Sequence, residues 1–216
     1  MRYALVGYTG RMGAEIIPLF ESRGHELVMK VDENGEEALG TPRVVLDFSR
    51  PSALASTVRI CRECSSALVL GTTGLSTSDG ESLRGLSSLV PVVYSPNFGV
   101  GINILSMILS DYSEILAGWD AEIVETHHDK KVDAPSGTAL ALMDALGRRC
   151  PAHSIRLGNL PGDHSVHLAN SDELMTFTHR TINRGVLARG ALLAAEFAAS
   201  ADSGYYNFQD VLRSLK

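Results

Sequence analysis

The chain is short of several things, and each shortage excludes a class. It has three cysteines in 216 residues, an odd number, which cannot make a complete disulfide framework and suggests a reduced, cytoplasmic setting. No apolar run approaches the roughly 20 residues that a membrane-spanning helix needs. No signal-peptide pattern opens the chain either, because Met1-Arg-Tyr3 leads straight into a strand-like run. Lys and Arg number 19 against 25 Asp and Glu, a net charge of −6, so the basic face that a nucleic-acid partner requires is missing. Repeats and low-complexity linkers are absent as well. What remains is 44% hydrophobic and 20% charged, ordinary for a soluble enzyme and long enough for one large or two small domains.

Cys61-Arg-Glu-Cys64 has the spacing of a redox pair or half a zinc site. No second ligand pair stands at a suitable distance, and the motif closes a helical pattern running from Pro51 to Cys64. Plain helix packing is the expectation.

The first hundred residues alternate short β-branched runs with helical stretches. Tyr3–Val6, Glu26–Val31, Arg43–Asp47, Ala67–Leu70 and Pro91–Tyr94 read as strands, with a helix from about Arg11 to Arg23 after the first. Continuous apolar strands between helices predict a Rossmann-like, doubly wound parallel sheet covered on both faces. After Pro96 the character changes. Val100 to about Leu116 reads as one long helix with Ile102, Leu105, Ile108, Leu109, Tyr112 and Leu116 on a common face. A strand from Trp119 to Thr126, a helix from Ser136 to about Arg148, and strands near Ile155, Val166 and Leu174–Thr181 follow. This predicts a smaller α+β domain with an open mixed sheet. The Ala-rich helix Gly190–Ala199 would return to the first domain. The division is therefore 1–97 plus 190–216 for dinucleotide binding, and 98–189 for the second domain. The short join near residue 97 favours a hinge that closes a cleft over a flexible tether.

Gly7-Tyr-Thr-Gly10-Arg-Met-Gly13 lies between the first strand and the first helix. The first Gly suits a tight turn, the second lets a pyrophosphate press on the helix N-terminus, and the third allows close helix–strand packing. Arg11 adds a cation. The spacing departs from G-x-G-x-x-G, so its place in a strand-turn-helix unit carries the reading. Asp32 ends the second strand nineteen residues on, where a carboxylate accepts ribose hydroxyls and repels a 2′-phosphate. This favours NADH over NADPH, although Lys30 or Arg43 stand near enough in sequence to answer a phosphate. Gly71-Thr72-Thr73-Gly74 and Ser95-Pro96-Asn97-Phe98 follow the fourth and fifth strands, at the carboxyl edge where such folds bind ligands. Ordinary turn chemistry would place the same residues there.

The densest chemistry is Glu125-Thr-His-His-Asp-Lys-Lys-Val-Asp-Ala-Pro-Ser-Gly-Thr138. His127 and His128 stand at a strand end, where neighbouring side chains point to opposite sides. Lys130 and Lys131 follow. Ser136, Gly137 and Thr138 open a helix, Ser136 as its N-cap, and their free N–H groups cradle a carboxylate or phosphate. Lysines and backbone donors would hold an anion while an imidazole or ammonium supplies a proton. A metal site of His127, His128, Asp129 and Asp133 is disfavoured because two cationic lysines would oppose the ion. Asp133 more naturally organises the loop or pairs with a lysine.

These motifs, in this order, resemble the dihydrodipicolinate (4-hydroxy-tetrahydrodipicolinate) reductase family. Arg156-x-Gly158, Gly162-Asp-His164 and the region from Arg184 to Phe197 extend the likeness along nearly the whole chain. The resemblance implies a two-domain, usually homotetrameric reductase, with the second domain also making the tetramer. It implies hydride transfer from NADH or NADPH to a cyclic dicarboxylate in diaminopimelate and lysine synthesis. Carried over by position, His127 and Lys131 are catalytic proton donors, and His128, Lys131, Ser136, Gly137 and Thr138 hold substrate. Gly7, Tyr8, Thr9, Gly10, Arg11, Met12, Asp32, Gly71, Thr72, Thr73, Ser95, Pro96, Asn97 and Phe98 hold the cofactor, and no metal is expected. Three features depart from the family pattern. Asp129 stands where many members carry a basic residue, Leu187 replaces a frequent aromatic, and the chain is short. A nucleotide-binding sensor would explain the glycine loop but leave the His/Lys cluster without a role. A metal-dependent hydrolase would lose activity to chelators.

Overall fold

The alternation of apolar strands and amphipathic helices folds as it reads. In a computed structural model, which describes residues 1–183 and 185–215, the chain separates into two units, Met1–Gly99 with Gly185–Lys216, and Val100–Arg184. The first unit begins with β1 (Arg2–Val6), α1 (Arg11–Ser22), β2 (Glu26–Asp32), β3 (Gly35–Ala38) and β4 (Val44–Asp47). It continues through α2 (Leu54–Cys64), β5 (Ala67–Leu70), α3 (Thr77–Ser87) and β6 (Pro91–Tyr94). The second unit contains α4 (Val100–Asp111), β7 (Asp120–His127), α5 (Gly137–Ala145), β8 (Ala152–Arg156), β9 (Asp163–Ala169) and β10 (Leu174–Arg180). The chain then completes the first unit with α6 (Gly185–Ala198), β11 (Gly204–Asn207) and α7 (Phe208–Arg213). Among the described residues no helix is long and apolar enough to cross a membrane.

The first unit is a seven-stranded sheet in the order β11-β6-β5-β4-β1-β2-β3. Every pairing in it is parallel except the β2–β3 edge. The order reverses direction at β1, between β4 and β2, which is the switch point where doubly wound sheets take ligands at their carboxyl ends. The central strands β4 and β5 are buried at every residue, which is why they read as unbroken apolar runs. α6 packs on α1 and on β4, β5 and β6. It can approach closely because position 190 is glycine: a Cβ there would sit 1.7 Å from the Phe98 carbonyl oxygen. Two strands were not visible in the sequence. β3 is Gly-Glu-Glu-Ala, exposed throughout, and β11 is Gly-Tyr-Tyr-Asn.

The second unit is a four-stranded sheet, β10-β9-β7-β8, mixed because β7 and β8 run parallel while the other pairs are antiparallel. α4 packs against α5 and β10, over a core that includes Ile102, Leu105, Leu109, Ile123, Leu142, Val166 and Leu168. The long helix expected to reach Leu116 stops at Asp111. The Ser113 hydroxyl donates to the Ser110 carbonyl, and turns at Tyr112 and Leu116 carry the chain on. Serines compete in this way for helical hydrogen bonds, and Leu116 still reaches the core through the turns. α5 likewise ends at Ala145, ahead of the expected Arg148, with Gly147 at φ +68° just beyond, a left-handed stop that glycine favours.

Candidate functional site

Two clusters of chemically able groups lie at strand ends, one in each unit. In the first unit, Gly7 sits at φ +82° directly after β1 and donates from its N–H to the Val31 carbonyl at 2.8 Å. Gly13 is buried against the loop before it: a Cβ there would lie 2.0 Å from the Tyr8 carbonyl oxygen. Both glycines therefore answer a steric need, and they set the start of α1 against the end of β1. Tyr8 and Met12 are half-buried, while Thr9, Gly10 and Arg11 are exposed, as a phosphate-facing turn requires. Gly10 caps α1 without a side-chain hydrogen bond, so the helix presents bare N–H groups.

Asp32 ends β2 and accepts from the Asn34 N–H at 2.8 Å. Its negative charge raises the nearby Tyr8 phenol above its ordinary range. Lys30 and Arg43, the cations weighed in the sequence, and Arg50 after β4 are turned elsewhere. Arg43 donates to the Ala199 carbonyl, Lys30 lies 3.8 Å from Glu37, and Arg50 pairs with Glu33 at 2.9 Å.

Asp47, which sequence reasoning passed over, organises the two neighbouring loops. It is fully buried at the end of β4, and no cation pairs with it among the described residues. One oxygen accepts from the Ser49 N–H at 3.0 Å, the Ser49 hydroxyl and the Thr72 hydroxyl at 2.9 Å. The other accepts from Thr57 at 2.6 Å. Thr72 is thereby locked from within, leaving Thr73 and Gly74 exposed at the loop tip. Ser95 is buried and bonds the Asn97 carbonyl, and Pro96 is exposed. Phe98 departs in character from its neighbours: its ring is core, 5.4 Å from Phe48 and 5.1 Å from Phe208 between centroids. It can offer a ligand only its backbone.

The second cluster is built on β7. Side chains two apart on a strand share a face, so Glu125 and His127 both turn inward and are buried, with His164 of β9 beside them. The His127 and His164 rings meet edge to face at 5.1 Å. Glu125 uses both oxygens: one is hydrogen-bonded to His127 Nδ1, the other accepts from Arg156 at 2.8 Å. Burial alone would raise this carboxyl. Hydrogen bonds from Arg156, Ser154 and His127 outweigh it and hold the group at about 2. An ionised carboxylate is acceptor-only, so Nδ1 of neutral His127 carries the proton and Nε2 is left as an acceptor. Burial lowers His127 further, against the opposing pull of Glu125. Gly162 keeps Nε2 uncovered, since a Cβ there would come within 2.9 Å of it.

His128 is half-buried, Asp129 and Lys130 are exposed, and Lys131 is half-buried and paired with Asp133 at 2.8 Å. Asp133 thus pairs with a lysine. Its carboxyl is held below the usual range first by Lys131, against a smaller cost of burial and with help from the Gly137 N–H. Ser136 caps α5, accepting from the Ala139 N–H at 3.2 Å, and its hydroxyl lies 3.1 Å from His164 Nε2. Gly137 and Thr138 open the helix, exposed and half-buried respectively. Loop and helix start therefore bring an ammonium and helix-start N–H groups, Gly137's already on Asp133, beside an imidazole.

Glu125, His127 and His164 offer three ligand atoms within 4.8 Å of one another, a set that shares only His127 with the four residues weighed in the sequence. Glu125 already has both oxygens engaged and Arg156 adds positive charge, so the trio reads as a hydrogen-bond network rather than a metal cage.

His164 makes a prediction about stability. Burial, then the neighbouring His127, pushes it down to about 4, so the folded protein binds fewer protons than the unfolded chain between about pH 4 and 6.5. Its contribution is complete above about 6.5 and is lost as pH falls towards 4, amounting to about 3 kcal/mol. Urea midpoints measured across this window should fall with pH. His164→Gln should flatten the slope, and an equally steep slope in that variant would assign it to other groups.

Comparison with known proteins finds relatives along the whole chain. Family models described as dihydrodipicolinate reductase, N-terminus, and dihydrodipicolinate reductase, C-terminus, match residues 1–98 and 101–212. A 4-hydroxy-tetrahydrodipicolinate reductase of Thermosipho africanus is 44% identical over 213 residues, covering 99% of this chain and 98% of the relative. The reductase of the same name from Clostridium tetani is 36% identical, covering 99% and 98%. Among solved structures, dipicolinate-bound dihydrodipicolinate reductase from Paenisporosarcina sp. TG-14 shares the fold. It has a TM-score of 0.81 at 22% identity, covering 96% of this chain and 97% of the other. Arg184, where the sequence likeness of the α6 region begins, lies outside the described residues.

Proposed function

The chain belongs to the dihydrodipicolinate reductase family, and from that membership we propose how its residues divide the work of the reaction. It is a nicotinamide-dependent oxidoreductase of lysine and diaminopimelate synthesis. The substrate is the cyclic 4-hydroxy-tetrahydrodipicolinate, or dihydrodipicolinate once dehydrated, and the product is tetrahydrodipicolinate. The bound nicotinamide supplies the hydride. Everything else falls to the chain.

In the first unit, Gly7 to Met12 receive the pyrophosphate, with Arg11 as the cation and the α1 N–H groups as donors. Asp32 takes the ribose hydroxyls. Gly71 to Thr73 and Ser95 to Phe98 line the carboxyl edge, Phe98 through its backbone. In the second unit, the Gly137 and Thr138 N–H groups, the Ser136 cap and the Lys131 ammonium hold a substrate carboxylate, with His128 as a further donor. The carboxylate of Asp133 already sits on Lys131 and Gly137, and a substrate carboxylate takes that place. Lys131 has a proton to give. Neutral His127 accepts at Nε2 and hands a proton on only after taking one there. The Glu125–His127 bond beside Lys131 is the single observation that carries this reading.

NADH is the favoured cofactor, because Asp32 repels a 2′-phosphate and Lys30, Arg43 and Arg50 are bound to other partners. The preference is tested by kcat/KM with each nucleotide. NADH should be favoured about tenfold or more, as expected for one unpaired charge repulsion of about 1.4 kcal/mol. Asp32→Asn should narrow the gap, and a wild-type preference for NADPH would overturn the assignment to Asp32. A homotetramer built through the second unit is proposed on family membership, and light scattering in solution decides it.

A further inference from the structure

We propose that Glu125 and Arg156 are a positioning pair that fixes both proton-handling side chains, Glu125 setting the tautomer of His127 and Arg156 holding the backbone that carries Lys131. The proposal rests on the reductase reading but reaches residues to which that reading gave no role.

Three observations carry it. First, Glu125 has no exposed side-chain surface, and a buried carboxylate is costly unless fully bonded. Its place, two residues before His127 on one strand face, lets it meet that ring and no exposed group. Second, Arg156 stands directly beside His127 in the parallel β7–β8 register. From there its guanidinium donates to Glu125 at 2.8 Å, to the Asp133 carbonyl at 2.6 Å and to the Lys131 carbonyl at 3.2 Å, and to the carbonyl of its neighbour Ile155 at 2.9 Å. One planar fork thus joins the imidazole's partner to both sides of the residue before the Asp133 turn. Third, the rest of the loop has its own ties, Asp129 N–H to the Gly158 carbonyl at 3.1 Å and Leu157 N–H to the His127 carbonyl at 2.9 Å. The Lys131–Asp133 stretch has one tie of its own, Lys131 N–H to the His128 carbonyl at 3.1 Å, and among the described residues Arg156 supplies its side-chain link to the sheet.

The charged and titratable groups facing His127 are Glu125 from its own strand, Arg156 from β8, His164 from β9 and Lys131 from the loop. Glu125 alone among them is an anion. Removing its charge leaves three groups that disfavour the imidazolium, so the acidic limb of the pH profile moves to lower pH. A lysine at 156 keeps the charge but lacks the fork, so it separates charge from positioning.

The test combines nitrogen-15 histidine NMR with steady-state kinetics on the full protein. In the wild type at neutral pH, His127 should carry its proton on Nδ1 with Nε2 bare. Glu125→Gln can donate its amide to Nδ1, so the tautomer should move to Nε2–H. Its kcat should fall at least about ten- to a hundredfold, by analogy with partners that orient metal-bound imidazoles, with KM for NADH unchanged within about twofold. Arg156→Lys should leave the tautomer on Nδ1 and raise KM for the dicarboxylate. A wild-type His127 protonated on Nε2 overturns the proposal even if Glu125→Gln does not fold. So does a folded Glu125→Gln with wild-type kcat and pH profile. Absence of oxidation by the wild type would instead overturn the reductase reading, while the tautomer result stands by itself.

Discussion

Lys131→Ala is expected to lower turnover by about 10²–10⁴-fold, the range for loss of a general acid, while NADH still binds. The size follows from where the lysine sits. Its ammonium is half-buried, held toward Asp133 and the start of α5, and the proposed role asks it both to neutralise a carboxylate and to carry a proton to the same place. His127→Ala should cost a similar factor for a different reason: Nε2, kept open by Gly162, is lost as an acceptor. The two variants separate by pH. Below its lowered pKa His127 takes a proton at Nε2, so the acidic limb should vanish in His127→Ala and persist in Lys131→Ala. Near-normal turnover in either variant would remove that residue from the mechanism.

Asp47→Ala is expected to destabilise the protein by about 2–6 kcal/mol. Two buried hydroxyls, Thr57 and Thr72, lose the carboxylate acceptor, at about 1–3 kcal/mol each, Thr57 keeping only its longer bond to the Ala53 carbonyl at 3.2 Å. Because Thr72 and Ser49 are anchored through the same carboxylate, the Gly71–Thr73 loop should loosen too, weakening NADH binding by about tenfold. Asp47→Asn, which keeps one acceptor oxygen, should fall between the two proteins. Urea denaturation and NADH titration together check the claim. Loss of stability with unchanged NADH affinity would make Asp47 a packing residue without influence on the loop.

The strands that read most plainly in the sequence were those buried on both faces, β4 and β5 above all, where every residue is apolar or, at Asp47, enclosed, while β7 to β10 alternate in burial. β3 was hidden because an exposed edge strand of Gly-Glu-Glu-Ala has no apolar signal, and β11 because Gly-Tyr-Tyr-Asn is a half-exposed run of four residues. The site divides along similar lines. His127, Lys131 and Ser136 announce themselves by chemical type and by crowding into one short stretch. Glu125 and Asp47 do not, since a lone carboxylate in a strand looks like a solvated position until its partners are known. A signal for Glu125 was present in the two-residue spacing to His127, which puts both on one face. Arg156 carried no such signal, because its place beside His127 depends on the β7–β8 register, a pairing between segments separated by a whole helix.

The measurement that tests the account most directly is nicotinamide oxidation by the purified protein supplied with dihydrodipicolinate generated in situ, with tetrahydrodipicolinate followed by mass spectrometry. The account predicts rapid, substrate-dependent oxidation of NADH, one nucleotide consumed for each product formed. Saturable NADH binding without substrate-dependent oxidation of either nucleotide would contradict it and leave a nucleotide sensor in place of a reductase.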